Sequence, residues 1–175
     1  MQVIQTIEQL IETLNDTDPS EQGSVLKRID IPTADFDDFA SWKKSGYTRN
    51  CIERTKDYEL ILLCWDQHSG SPVHGHGGQD CWVYQVKGTV CEKRFIKTEE
   101  GLVETNFMEL KEGRMTYMHD RMGFHSIQNT SDSRAMTLHL YASPIDECRV
   151  FNVDKQKFEQ VQLNYYSAPG ITITA

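Results

Sequence analysis

The sequence predicts a mainly β protein, an antiparallel sandwich or barrel with an N-terminal helical cap, and three observations carry that expectation. Apolar residues recur at helical spacing only near the start of the chain. From about residue 46 onward, short apolar or alternating runs follow one another between turn residues. No long helical pattern separates these runs, which disfavours a parallel sheet with helical crossovers.

The elements follow in order. Val3, Ile4, Ile7, Leu10, Ile11 and Leu14 lie on one helical face, and the polar stretch 15–19 ends the pattern. Phe36, Phe39 and Trp42, at three-residue intervals, suggest a second, shorter helix. The runs YELILLCW, CWVYQVKG, TVCEKRF, GLVETNFMEL and MTLHLYA then read as strands. At 175 residues the chain fits one domain, with residues 1–45 helical and residues 46–175 forming the β-barrel.

Eighteen basic residues against 26 acidic ones give a net charge of -8, so phosphate backbones and anionic lipid are repelled and nucleic acid is excluded as a partner. The N-terminus lacks the basic flank and apolar core of a signal peptide, and no apolar stretch has the length of a bilayer span. A cytoplasmic protein with no membrane partner is expected, and a monomer. Five cysteines with no CxxC pair signal neither a disulfide framework nor a Cys-rich zinc site.

The segment GSPVHGHGGQDCWVYQVKG carries the chemistry. His74 and His76 stand two apart on what reads as a strand end, and in an extended strand such residues share a face with Cα atoms about 6.6 Å apart. His125, after a strand-like run and a turn at Gly123, is the third candidate ligand. An HxH alone is more often two polar residues in a loop, and imidazole ligands by themselves also suit zinc or nickel.

Gly70, His74, His76, Gly88, Gly113, His125 and Asn129 together resemble the two motifs of the cupin family, with one extra residue between Gly113 and His125. Cys81 stands where most cupins place a metal-binding glutamate. Three neutral imidazoles then leave the full dipositive charge on the metal, and an anionic substrate thiolate can supply the missing charge.

Further segments are similar to the cysteine dioxygenases: YTRN (residues 47–50), LILLCW ending at Trp65, SPVHGH, and LHLYASPIDECRVF (residues 138–151). The resemblance runs from about residue 35 to 152. It implies Fe(2+) held by His74, His76 and His125, with L-cysteine and O2 as substrates and cysteine sulfinic acid as product. It also implies that Arg49, flanked by Tyr47, receives the substrate carboxylate, which suits the planar fork of a guanidinium.

Thr137, His139 and Tyr141 alternate with apolar residues on one strand face, and buried polar groups need partners, so they read as a hydrogen-bonded relay toward the metal pocket. The resemblance agrees, assigns catalytic roles to His139, Tyr141 and Cys81, and implies that Cys81 and Tyr141 can form a thioether crosslink. It places Trp65 in the pocket wall and Cys148 near the entrance. The proline after Tyr141 falls one residue late, as Ala142, Ser143, Pro144, so the sequence leaves open whether a cis peptide follows Tyr141. His68 and His119 lie outside the motifs. The alternatives are a dioxygenase for another small thiol, such as 3-mercaptopropionate, and a metal-binding cupin without oxygenase activity.

Overall fold

The structure, a computed structural model, describes residues 2–169 and the backbone of residues 171 and 172. Helix α1 (Ile7–Asn15) begins where the Thr6 side chain accepts from the Gln9 N–H, and it buries Ile7, Leu10 and Leu14. It starts four residues later than the apolar spacing suggests, because Ile4 is used in a bridge to Ile29 and Val3 is exposed. The short helix α2 (Gln22–Val25) follows, a single turn that has no apolar period to announce it. The second expected helix is a 3-10 helix at Thr33–Phe39, with Phe36 buried and Trp42 beyond its end.

The strands are β1 (Tyr47–Arg54), β2 (Glu59–Trp65), β3 (Cys81–Lys87), β4 (Thr89–Thr98), β5 (Gly101–Lys111), β6 (Met115–Met118), β7 (Phe124–Gln128), β8 (Ala135–Tyr141), β9 (Glu147–Asn152), β10 (Lys157–Gln162), β11 (Ser167–Ala168) and β12 (Ile171–Thr172). One sheet has the order β12-β11-β1-β2-β8-β3-β6. Its β1 and β11 run parallel, and its other strand pairs are antiparallel. Facing it are β5-β4-β7 and β10-β9.

Every residue of β2 and β8 is buried, so both faces of the large sheet are covered. The pleat sorts the two faces. Leu60, Leu62, Cys64, Met136, Leu138 and Leu140 pack with α1 and its neighbours into one core. Ile61, Leu63, Trp65, Cys81, Val83 and Tyr141 face the second layer in another. The helical cap therefore covers the outer face of the large sheet, and the functional side chains lie between the layers.

The segment before His76 joins the two smaller sheets. Its backbone bridges β7 through His74 and His125 and β9 through His74 and Val150. The layers keep open edges, so the described strands form a sandwich and the sheets do not close into the expected barrel. Among the described residues no helix is long and apolar enough to cross a membrane, every peptide is trans, and the five cysteines are buried and unpaired.

Candidate metal centre

His74, His76 and His125 converge, with one potential ligand atom from each lying within 4.8 Å of the others. His125 comes from β7, whereas His74 and His76 lie on an irregular extended segment rather than a regular strand end. His74 is held by its backbone bridges, and His76 by a tight turn. The Asp120 carboxylate accepts from the backbone N–H groups of His76 and Gly78. Gly77 and Gly78 follow with φ of +63° and +84°, left-handed values that glycine adopts without a Cβ penalty.

Hydrogen bonding sets the ring tautomers of two of these histidines. His74 Nδ1 lies 2.9 Å from the Pro72 carbonyl and His125 Nδ1 lies 2.7 Å from Glu92 Oε1. Both oxygens only accept, so both Nδ1 atoms carry hydrogen and both Nε2 atoms offer a lone pair. His125 Nε2 lies 3.1 Å from His76 Nε2. Burial holds the pKa of all three below the ordinary histidine value. Neutral, pre-oriented imidazoles with converging lone pairs fit a divalent metal ion.

Glu92 of β4 is fully buried. It accepts from Thr116 Oγ1 at 2.9 Å and from Arg94 Nη2 at 3.3 Å as well as from His125. The expected set of three histidines thus has a carboxylate one bond behind it, where part of the charge of a bound metal would be balanced.

Beside the histidines lies a cavity of about 170 Å³, lined among others by Tyr47, Arg49, Trp65, His139, Tyr141 and Cys148. Nη1 and Nη2 of Arg49 are buried and have no hydrogen-bond partner among the described residues. Its nearest carboxylate, the buried Glu59, is 4.0 Å away and is also shared with Arg54 Nη1 at 3.2 Å. Burial raises the Glu59 pKa, against the pull of its hydrogen bond from the Ile145 N–H and of the two arginines. Tyr47 packs against Trp65 with ring centroids 4.8 Å apart.

The polar ladder on β8 faces this cavity. Trp65 Nε1 donates to Thr137 Oγ1 at 2.8 Å, and that oxygen lies 2.9 Å from His139 Nε2. Its far end departs from the relay expected of the sequence. His139 Nδ1 faces Cys81 Sγ at 3.9 Å, and the Tyr141 ring stacks on His139 with centroids 6.2 Å apart. No hydrogen bond joins His139 to Tyr141 among the described residues, because the two ring nitrogens of His139 face Thr137 and Cys81. Cys81 and Tyr141 are directly opposed across β3 and β8.

A family model described as cysteine dioxygenase type I matches residues 1–154. The chain belongs to the cysteine dioxygenase type I family. Membership makes it an oxidoreductase of the cupin superfamily. Cysteine dioxygenase type 1 of Danio rerio is 28% identical over 178 residues, covering 95% of this chain and 89% of its own. The Rattus norvegicus protein of that name is 28% identical over 156 residues, covering 86% and 78%. Among solved structures, TT1209 from Thermus thermophilus matches with a TM-score of 0.52 at 20% identity, over 62% of this chain and 94% of its own. At that identity the likeness concerns the fold alone.

Two buried carboxylates near the site, Glu92 and Glu59, were not among the residues expected from the sequence. Glu92 shares its strand face with Val90, and a charge at a core position of an alternating strand was the available signal. Glu59 sits at the head of an otherwise apolar strand, where it reads as an end-cap rather than a buried charge. Val161 and Leu163 also line the cavity, from a segment beyond the last matching run. Asn129 has no ligand role: it is buried, and its amide closes the turn to Ser133. His68 is exposed beside Asp132, and His119 caps a short 3-10 turn, both outside the centre.

Proposed function

We propose that this protein is a thiol dioxygenase that converts L-cysteine and O2 to cysteine sulfinic acid at a mononuclear non-haem Fe(2+) held by His74, His76 and His125. The observation that supports it most is Arg49, whose buried Nη1 and Nη2 have no hydrogen-bond partner among the described residues, in a cavity shared with two of the three histidines. Buried N–H donors left without acceptors are costly, and a small carboxylate offering two oxygens satisfies them. L-Cysteine brings that carboxylate together with a thiol two carbons away.

When bound, ferrous iron supplies the Lewis acidity and redox capacity through which thiol and dioxygen react. Both oxygen atoms go to sulfur, which gives up four electrons, so no external reductant is needed. Arg49 orients the substrate, with Tyr47 and Trp65 forming the adjoining wall. Tyr141 lines the cavity, and burial raises its pKa well above the usual tyrosine value, so its hydroxyl stays protonated and serves as a donor. His139 positions the Cys81 side of the site, and Cys81 and Tyr141 are the partners of a thioether crosslink. The protein is read as a cytoplasmic monomer.

Purified protein is tested by metal analysis and by oxygen uptake with L-cysteine, 3-mercaptopropionate and cysteamine, with the product identified by mass. The expected result is iron, stoichiometric uptake with L-cysteine, and a product heavier by two oxygen atoms. Preference for cysteamine, which has no carboxylate, removes Arg49 from the substrate site. No uptake with any thiol in an iron-loaded sample overturns the reading.

A further inference from the structure

We infer that Trp65 fixes the direction of the hydrogen-bond chain beside the cavity, placing the single proton of His139 on Nδ1, toward Cys81 and away from Thr137. An indole N–H can only donate, and Trp65 Nε1 donates to Thr137 Oγ1 at 2.8 Å. The hydroxyl of Thr137 then has its own proton to place. The acceptor within reach is His139 Nε2, at 2.9 Å.

Were Nε2 the protonated nitrogen, Thr137 Oγ1 would accept twice and its hydroxyl proton would have no acceptor among the described residues. Trp65 and Thr137 are fully buried and His139 is 3% exposed, so water does not offer a ready substitute. Nε2 is therefore an acceptor. Burial also keeps the ring neutral, with its pKa lowered well below the ordinary histidine value. One proton remains, and it sits on Nδ1, 3.9 Å from Cys81 Sγ.

The consequence for function rests on the dioxygenase reading. His139 spends its only proton on the Cys81 side, and Tyr141 is stacked on it rather than bonded to it. The Tyr141 hydroxyl takes no bond from His139, and its side-chain hydrogen bond is with Cys81. Trp65 touches the cavity wall, but its part here is that of a positioning residue acting through Thr137 and His139.

The test is two-bond proton–nitrogen NMR on 15N-labelled protein, metal-free and loaded with zinc as a diamagnetic stand-in, with the His139 signals assigned by His139→Asn. The wild type is expected to show Nδ1 protonated and Nε2 bare, and Thr137→Ser, which keeps the hydroxyl, is expected to match it. In Trp65→Phe the hydroxyl loses its fixed donor, and the proton is expected to distribute over both nitrogens. Thr137→Val, close in shape to the wild type, is expected to release the proton in the same way if Trp65→Phe does not fold. Protonation of Nε2 in the wild type, or an unchanged tautomer in these two variants, overturns the inference. Oxygen uptake with L-cysteine on the same preparation separates a failed tautomer assignment from a failed dioxygenase reading.

Discussion

His74 and His125 face each other as a doubly bonded backbone pair: His74 N–H donates to the His125 carbonyl at 2.8 Å, and His125 N–H returns the bond to the His74 carbonyl at 3.0 Å. The spacing of two metal-ligand candidates is thus built into the main chain. Replacing His74 with Ala leaves both bonds in place, so metal binding is expected to vanish while the fold persists. Elemental analysis is expected to find the metal gone. The melting temperature of the metal-free variant is expected to stay within a few degrees of wild type, since about 1 kcal/mol moves a domain of this size by about 2–4 °C.

Glu92 stands 2.7 Å behind His125, in the arrangement by which carboxylates orient metal-bound imidazoles. Glu92→Gln keeps an acceptor for His125 but removes the charge, and Glu92→Ala removes both. Metal affinity is expected to fall by about 10–100-fold, the usual effect of losing such a partner, with Ala at the larger end. Competition against a chelator measures it, and equal affinity in all three proteins would remove Glu92 from the metal centre.

The sequence and the fold agree where local chemistry is decisive. His74 and His76 stand in a spacing that keeps them together, and Arg49 lies in a four-residue segment that resembles the family. For Glu92 the alternation with Val90 is a weak signal, because the run Glu92-Lys93-Arg94 on its own describes an ordinary solvated strand. Only the approach of β6 and β7 to β4 buries it, and that is a tertiary fact. The relay failed at one link for a related reason. Parity puts Thr137, His139 and Tyr141 on one face, but which neighbour each ring nitrogen meets depends on Cys81 arriving from another strand.

Arg49→Ala is expected to raise the Michaelis constant for L-cysteine by about 30-fold or more, because truncating one partner of a buried charge pair costs about 2–5 kcal/mol. Arg49→Lys restores charge but not the two-pronged geometry, and only partial recovery is expected. Cysteamine, lacking the carboxylate, serves as the internal control. Steady-state oxygen uptake checks both substrates, and an unchanged constant for L-cysteine in Arg49→Ala refutes the assignment.

His139 also predicts a pH dependence of stability. In the unfolded chain it titrates near the ordinary value of about 6.5, whereas burial lowers its pKa in the fold. Below about pH 6.5 the unfolded state takes up a proton that the native state refuses. The stabilisation is therefore full above that pH and is lost as the pH falls, at up to about 1.4 kcal/mol per unit. Melting curves of the metal-free protein between about pH 7.5 and 5.5 should decline in this sense, and His139→Asn should decline less steeply.

Cys81 and Tyr141 occupy directly opposed positions on β3 and β8, so a sulfur–carbon bond between them needs no rearrangement of the strand register. Its formation removes one hydrogen from the thiol and one from the ring, two electrons and two protons in all, with dioxygen as the oxidant. Burial pushes the Cys81 pKa far up, so the thiol does not ionise readily when the metal is absent. The crosslink is accordingly expected only after exposure to iron(II) and oxygen together. Intact-mass analysis should then show the loss of two hydrogen atoms, and peptide mapping should join the segments containing Cys81 and Tyr141. Cys81→Ser is expected to abolish the mass change while retaining metal, since Cys81 is not among the converging ligands. The same loss of mass in Cys81→Ser would assign the oxidation to another pair of residues.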